Sequence, residues 1–196
     1  MLSKYDTEDL VNHITVLWGK TGNGHYTQKE SMYFSLFKTL LPDFTGGTVL
    51  EIGPGTGKFA QMLFNHYKIQ NYTILDLAKN IKDSKNTLKN LPTNFIESKN
   101  YETLYKNTFD LFVSNNCLSE VPDYYRDNIV NNTWPYCKSL FIFDGDEEQM
   151  PFNTWLKTTV QKYFDKIEVQ PTNYYNCIAM SGIKDFKEPH NNAQSI

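Results

Sequence analysis

Three glycines at alternate positions, Gly53, Gly55 and Gly57, stand in VLEIGPGTGKF, directly after an apolar run and ahead of a stretch with helical spacing. A tight strand-to-helix turn needs positive φ or a missing Cβ, and a ligand pressed against the backbone needs that same space. The helix that follows offers unpaired N–H groups and a partial positive charge, which suit a carboxylate or another anion. A second chemical group ends the next apolar run, YTILDL, at Asp76. The two oxygens of one carboxylate can accept from both hydroxyls of a ribose, so an acid at this strand tip suits a nucleoside.

The glycine spacing separates two cofactor classes. Dinucleotide sites use GxGxxG, whereas here the third glycine arrives one residue early and Lys58 follows it. That favours S-adenosylmethionine (SAM) over NAD. EIGPGTG followed by LD at the next strand end resembles motifs I and II of class I SAM-dependent methyltransferases, over roughly residues 46 to 183. The resemblance implies a Rossmann-like, seven-stranded, mostly parallel sheet with its last strand antiparallel. It implies that Glu51 and the loop Gly53, Pro54, Gly55 and Gly57 meet the methionine portion of SAM, and that Asp76 holds the ribose. Leu77 and Asn115, at the second and fourth strand ends, join the implied cofactor set. In FIESKN, Ser98 or Asn100 is the implied contact to adenine, although the family often carries an aspartate there.

In open α/β sheets the ligand crevice lies beyond the carboxyl ends of the strands, so the fourth and fifth strand exits should serve the acceptor. SNNCLSEVPDYY is similar to the superfamily segment after strand four, with Ser119 and Glu120 in the usual acid and histidine places. A serine–glutamate pair there resembles sugar O-methyltransferases. Pro-Pro-aromatic, the mark of enzymes that methylate amines of nucleic acid, is missing. Ser114 stands where metal-dependent relatives of the catechol type carry an aspartate, so no metal is expected. FDGDEEQMPFN leaves the fifth run with Asp144 and Asp146, two carboxylates able to face an acceptor hydroxyl, the plainer alternative being a solvated acidic loop. The catalytic bases expected are Glu120 and His25, the latter in the glycine-flanked GNGHY, where a loop can close over a pocket and imidazole titrates near neutrality. Trp18, Tyr26, Tyr33 and Phe34 offer faces for an acceptor; helical spacing assigns Phe34 to core packing and leaves Trp18 and Tyr26 as gate and substrate residues.

Positioning these groups calls for a βαβ series. TVLEIG, YTILDL, NFIES, FDLFVS and SLFIFDGD read as strands, with KFAQMLFNHY and AKNIKDSKNTLKNL as helices between the first three. Continuous apolar runs such as 111–113 and 140–143 suit parallel strands covered on both faces. A helix over 152–164 and a hairpin of strands near 167–170 and 176–183 complete the sheet. Two helices are expected before it, one carrying Leu10, Ile14, Leu17 and Trp18, the other Met32, Phe34, Phe37, Leu40 and Leu41. The expected division is an N-terminal helical cap at 1–45 over the acceptor site, a SAM-binding domain at 46–183 and a polar tail at 184–196.

Composition narrows the partners. Of 196 residues 40% are hydrophobic and 15% aromatic, enough for a packed core in one domain. Lys and Arg number 19 against 22 Asp and Glu, a net charge of -3, which lacks the positive field that nucleic acid requires. Cys117, Cys137 and Cys177 are too far apart for a zinc site. The first residues carry acidic and polar breaks where a signal peptide would be apolar, so a cytoplasmic monomer or homodimer, away from membranes, is expected. The reaction expected is methyl transfer from SAM to a small-molecule hydroxyl, with a sugar or sugar nucleotide favoured. Small-molecule N-methylation and a catalytically silent SAM-binding module stay open.

Overall fold

In the computed structural model, residues 28–144, 150–172 and 177–185 are described. Helix α1 (Gln28–Leu40) leads into β1 (Gly46–Ile52), α2 (Lys58–His66), β2 (Lys68–Asp76), α3 (Ala78–Leu88), β3 (Thr93–Glu97), β4 (Phe109–Asn115), α4 (Asp123–Thr133), β5 (Cys137–Asp144), α5 (Met150–Val160), β6 (Lys166–Pro171) and β7 (Ile178–Ile183). Short 3-10 turns occupy Ser98–Leu104, Leu118–Glu120 and Trp134–Tyr136. The sheet runs β3-β2-β1-β4-β5-β7-β6. β1 to β5 pair in parallel, and β7 is antiparallel to both β5 and β6, so the expected terminal hairpin is present. This is the Rossmann-like methyltransferase fold, and its order reverses between β1 and β4, where a crevice opens at the strand ends.

Strand periodicity of two sorts the side chains onto two faces. Val49, Tyr72, Ile74, Leu111, Val113, Phe141 and Phe143 share one face with α1 and α2, while Leu50, Leu75, Phe112, Leu140 and Ile142 pack with Ile129 and Val130 of α4 and Leu156 and Val160 of α5 on the other. Helix α1 belongs to the first of these cores. Phe37 packs edge-on against Phe141 at 5.4 Å and Phe59 at 6.0 Å, and Phe34 lies 4.9 Å from the His66 ring. The spacing assigned Phe34 to packing, and the structure gives Tyr33 the same role, since both are buried.

Two boundaries differ from the sequence reading. β2 begins at Lys68 rather than Tyr72, because Lys68 and Ile69 pair with Gly46 and Gly47 through an irregular register that polar residues tolerate at the exposed end. The helix after β5 spans Met150–Val160 and ends short of Phe164, whose ring turns back against Trp134 at 6.0 Å. The first expected N-terminal helix lies outside the described residues. Among the described residues no helix is long and apolar enough to cross a membrane.

Candidate cofactor and acceptor site

Glu51 stands on the α1/α2 face of β1, and register places Tyr72 and Asp76 of β2 and Asn115 of β4 on that same face. Only 1% of Glu51 is exposed. Oε2 accepts from the Tyr72 hydroxyl at 2.8 Å and Oε1 from the Asn115 amide at 3.5 Å. Burial pushes the carboxyl up to about 8, against the lowering effect of those two donors, and Asp76 adds like-charge repulsion. The Tyr72 phenol is driven up as well, first by burial and then by Glu51.

Beyond Glu51 the chain turns through the glycines. Gly53 has φ +66, and a Cβ on it would stand 2.2 Å from Cys117 Sγ, so both backbone and packing exclude a larger residue. Its N–H donates to the Leu75 carbonyl at 3.0 Å, and the Gly57 N–H closes the turn on the Pro54 carbonyl at 2.9 Å. A Cβ on Gly55 would meet nothing within 4 Å, so this part of the turn faces open space. Helix α2 begins beside this turn without a side-chain cap hydrogen bond.

Asp76 is 7% exposed. Oδ1 accepts from the Leu77 N–H at 2.7 Å and the Asn80 amide at 2.9 Å, and buried Oδ2 has no hydrogen-bond partner. The sequence reading gave both oxygens to a diol; the structure commits Oδ1 to the start of α3 and leaves Oδ2. A buried carboxylate oxygen without a donor is costly, and a ligand hydroxyl supplies what it lacks. Leu77 is 49% exposed at the rim, and Ser98 follows Glu97, the register partner of Asp76. The buried Ser114 Oγ and Asn115 Oδ1 likewise have no partner. Glu51, Gly53, Pro54, Gly55, Gly57, Asp76, Leu77, Ser98 and Asn115 therefore converge on one crest of the sheet.

The acceptor side is organised by a group whose role the sequence did not reveal. Asp144, expected to face an acceptor, is 1% exposed: Oδ2 accepts from the Cys117 and Ser119 N–H groups, both at 3.1 Å, and Oδ1 accepts from the Ser119 hydroxyl at 2.6 Å. It is neither a solvated loop residue nor an open base; it folds the turn after β4. Glu120, at the end of that turn, is exposed on the rim, its N–H donating to the Cys117 carbonyl at 2.9 Å. Asn116 was also missed. With φ 50 it takes the left-handed conformation that asparagine tolerates, donates its amide to the Tyr33 hydroxyl at 2.9 Å and accepts from Cys177 Sγ at 3.6 Å. The paired asparagines of SNNC were the available signal. Trp18, His25, Tyr26 and Asp146 lie outside the described residues.

Four acids, Glu51, Asp76, Glu120 and Asp144, surround Cys117. Burial and then these carboxylates push its thiol up to about 12, so it is no nucleophile, and the crest favours positive charge. Among the described residues no cluster of His, Cys, Asp and Glu could hold a metal.

Residues 50–130 match the family model described as a methyltransferase domain. The match spans the glycine turn, Asp76 and the turn after β4. Solved structures, methyltransferases among them, share the fold at low identity. An O-methyltransferase family protein from Burkholderia thailandensis is 14% identical with a TM-score of 0.61, covering 93% of this chain and 60% of its own. The N-methyltransferase NodS from Bradyrhizobium japonicum, in complex with S-adenosylhomocysteine (SAH), is 13% identical with a TM-score of 0.61, covering 91% and 98%. A DhpI–SAH complex is 13% identical with a TM-score of 0.59, covering 89% and 95%. The chain thus spans only 60% of the length of the Burkholderia protein. No curated protein matches the sequence. The NodS and DhpI structures hold SAH, and the cradle here fits a ligand of that kind: a buried Asp76 Oδ2 without a partner, a side-chain-free turn at Gly55 beside it and an acidic surround for a cationic group.

Proposed function

We propose that this protein transfers the methyl group of SAM to a hydroxyl of a small molecule, with a sugar or sugar nucleotide as the favoured acceptor class. The observation that carries the cofactor half is the unpartnered Oδ2 of Asp76 at the tip of β2, beside the open turn at Gly55. When bound, SAM supplies an electrophilic methyl group on a sulfonium, so the protein's main task is alignment. Asp76 holds the ribose hydroxyl, the glycine turn and the first N–H groups of α2 take the carboxylate end, and Leu77 covers the base. Glu120, on the rim turn that Asp144 folds, accepts the acceptor's hydroxyl proton as the bond to carbon forms. His25 is the second candidate for that role. The ring of acids around Cys117 favours a different acceptor, an amine that docks protonated, gives its proton to a carboxylate such as Glu120 and then attacks with the freed lone pair, and makes small-molecule N-methylation the second reading.

Incubation with methyl-labelled SAM and a fractionated small-molecule extract of the source cells, read by mass spectrometry, tests both. Label on a carbohydrate hydroxyl supports the first reading and label on an amine the second. Binding of SAM without any labelled product leaves a silent SAM-binding module in their place.

A further inference from the structure

We infer that Glu51 is un-ionised in the cofactor-free protein and releases its proton to solvent when the ammonium of the cofactor's amino-acid tail settles beside it, so that cofactor capture and loss of one proton are a single event. This rests on the SAM-binding reading above and adds a charge switch beneath the glycine turn. The geometry carries it. Glu51 is 1% exposed, and its described hydrogen-bond partners, the Tyr72 hydroxyl at 2.8 Å and the Asn115 amide at 3.5 Å, are neutral. A carboxylate shut away from water with only neutral donors is strongly disfavoured.

The groups facing it from each element point the same way. β2 contributes Tyr72 and Asp76, an acid that repels a second negative charge; β4 contributes Asn115, with Ser114 on the opposite face; the turn after β4 contributes the Cys117 thiol. Across the face, α2 packs with apolar Phe59, Ala60, Met62 and Leu63, carrying Lys58 at its start and His66 at its end, and α1 carries Lys38, which acts on His66. No cation is among the influences on Glu51. Burial accordingly holds its carboxyl up to about 8, so most of the population is protonated at neutral pH. An ammonium drawn to the open turn by the surrounding acids is the missing counter-charge. The Glu51 O–H bond breaks, the proton passes to buffer and the ammonium keeps its own protons.

The sign follows from linkage. A ligand that binds the ionised carboxyl gains affinity as pH rises toward 8, by about tenfold per unit well below that value, and levels off above it. The test is titration calorimetry of SAH at pH 7 in buffers of different ionisation heat, paired with 5′-methylthioadenosine, which keeps the nucleoside and lacks the ammonium. The expected result is close to one proton released per SAH and none for methylthioadenosine, with the release lost in Glu51→Gln. Equal release for both ligands, release retained in Glu51→Gln, or SAH binding with no release overturns the inference. Should Glu51→Gln not fold, the two ligands on the wild-type protein decide alone. Failure of SAH to bind at all strikes instead at the SAM-binding reading.

Discussion

The two halves of the crest are built differently. The cofactor half draws Glu51, the glycine turn, Asp76 and Ser98 from the ends of β1, β2 and β3, and its bonds are mostly nearer in sequence: Asp76 holds Leu77 and Asn80, one and four residues away, and Glu51 holds Tyr72, 21 residues on, with a long 3.5 Å contact to Asn115 as its distant tie. The acceptor half is tied by distant partners: Cys117 and Ser119 by Asp144, 27 and 25 residues on, and Asn116 by Tyr33, 83 residues back. A local site survives changes elsewhere as long as strand, turn and helix persist. A site assembled from distant segments fails whenever one tie is cut, and it can be retuned without disturbing the cofactor. The division therefore suits a protein whose cofactor grip and acceptor choice can change separately.

The largest effect expected breaks the cofactor half. Gly53→Ala forces φ +66 on a residue with a Cβ and drives that atom into Cys117. Strain and overpacking together cost roughly 2–5 kcal/mol, and SAH affinity falls steeply with stability. Denaturant melts and calorimetry read both; an affinity unchanged from wild type contradicts the cradle. Next is Asp144→Ala, which strands two N–H groups and a hydroxyl in a buried place and costs roughly 2–4 kcal/mol. Here the two halves should separate: methyl transfer from labelled SAM collapses while the SAH dissociation constant stays within about threefold, a factor worth under 1 kcal/mol. If SAH binding falls as far as transfer does, the halves are one unit.

What could be read from the chain follows the same division. The turn at Gly53, Gly55 and Gly57 was legible because strand, glycines, helix and the next acid follow one another, each constrained by local geometry. Phe34 and Phe37 were legible as core from their spacing. Asp144 was not: in FDGDEEQ it looks like any acid of a polar loop, and only the closure of β4 beside β5 brings the turn at 117–119 onto it. Tyr72 read as an ordinary strand residue, since its bond to Glu51 depends on the register of β1 with β2. The ionisation of Glu51 was hidden for a related reason, because desolvation is a property of everything packed around a group rather than of its neighbours in the chain.

Asp76→Ala sharpens the cofactor half at smaller cost. Because only Oδ2 lacks a partner, the loss is that of one charge-assisted bond, about 1.5–3 kcal/mol of SAH binding, rather than two. The start of α3 also loosens, since Leu77 and Asn80 lose their acceptor. Asp76→Asn separates the two contributions: its remaining carbonyl oxygen can keep one of these bonds, so affinity should lie between wild type and Asp76→Ala. An SAH affinity equal to wild type in Asp76→Ala removes the ribose assignment.

Tyr33→Phe is the gentlest cut and the most discriminating. It keeps the ring that lies 4.5 Å from Phe143, so the packing of α1 on β5 persists, and it removes only the hydroxyl that accepts from the Asn116 amide. The cost expected is about 1 kcal/mol, a fall of about 2–4 °C in Tm for a domain of this size. Asn116 sits at φ 50, a conformation held by its ties rather than by its own preference, so loss of one tie should loosen the exit of β4 where the acceptor turn begins. SAH affinity should not move, because Glu51, Asp76 and the glycine turn do not use this bond. A Tyr33→Phe variant that loses SAH affinity as strongly as Asp76→Ala would mean that α1 supports the cofactor directly, and the distinction between a local half and an assembled half would have to be given up.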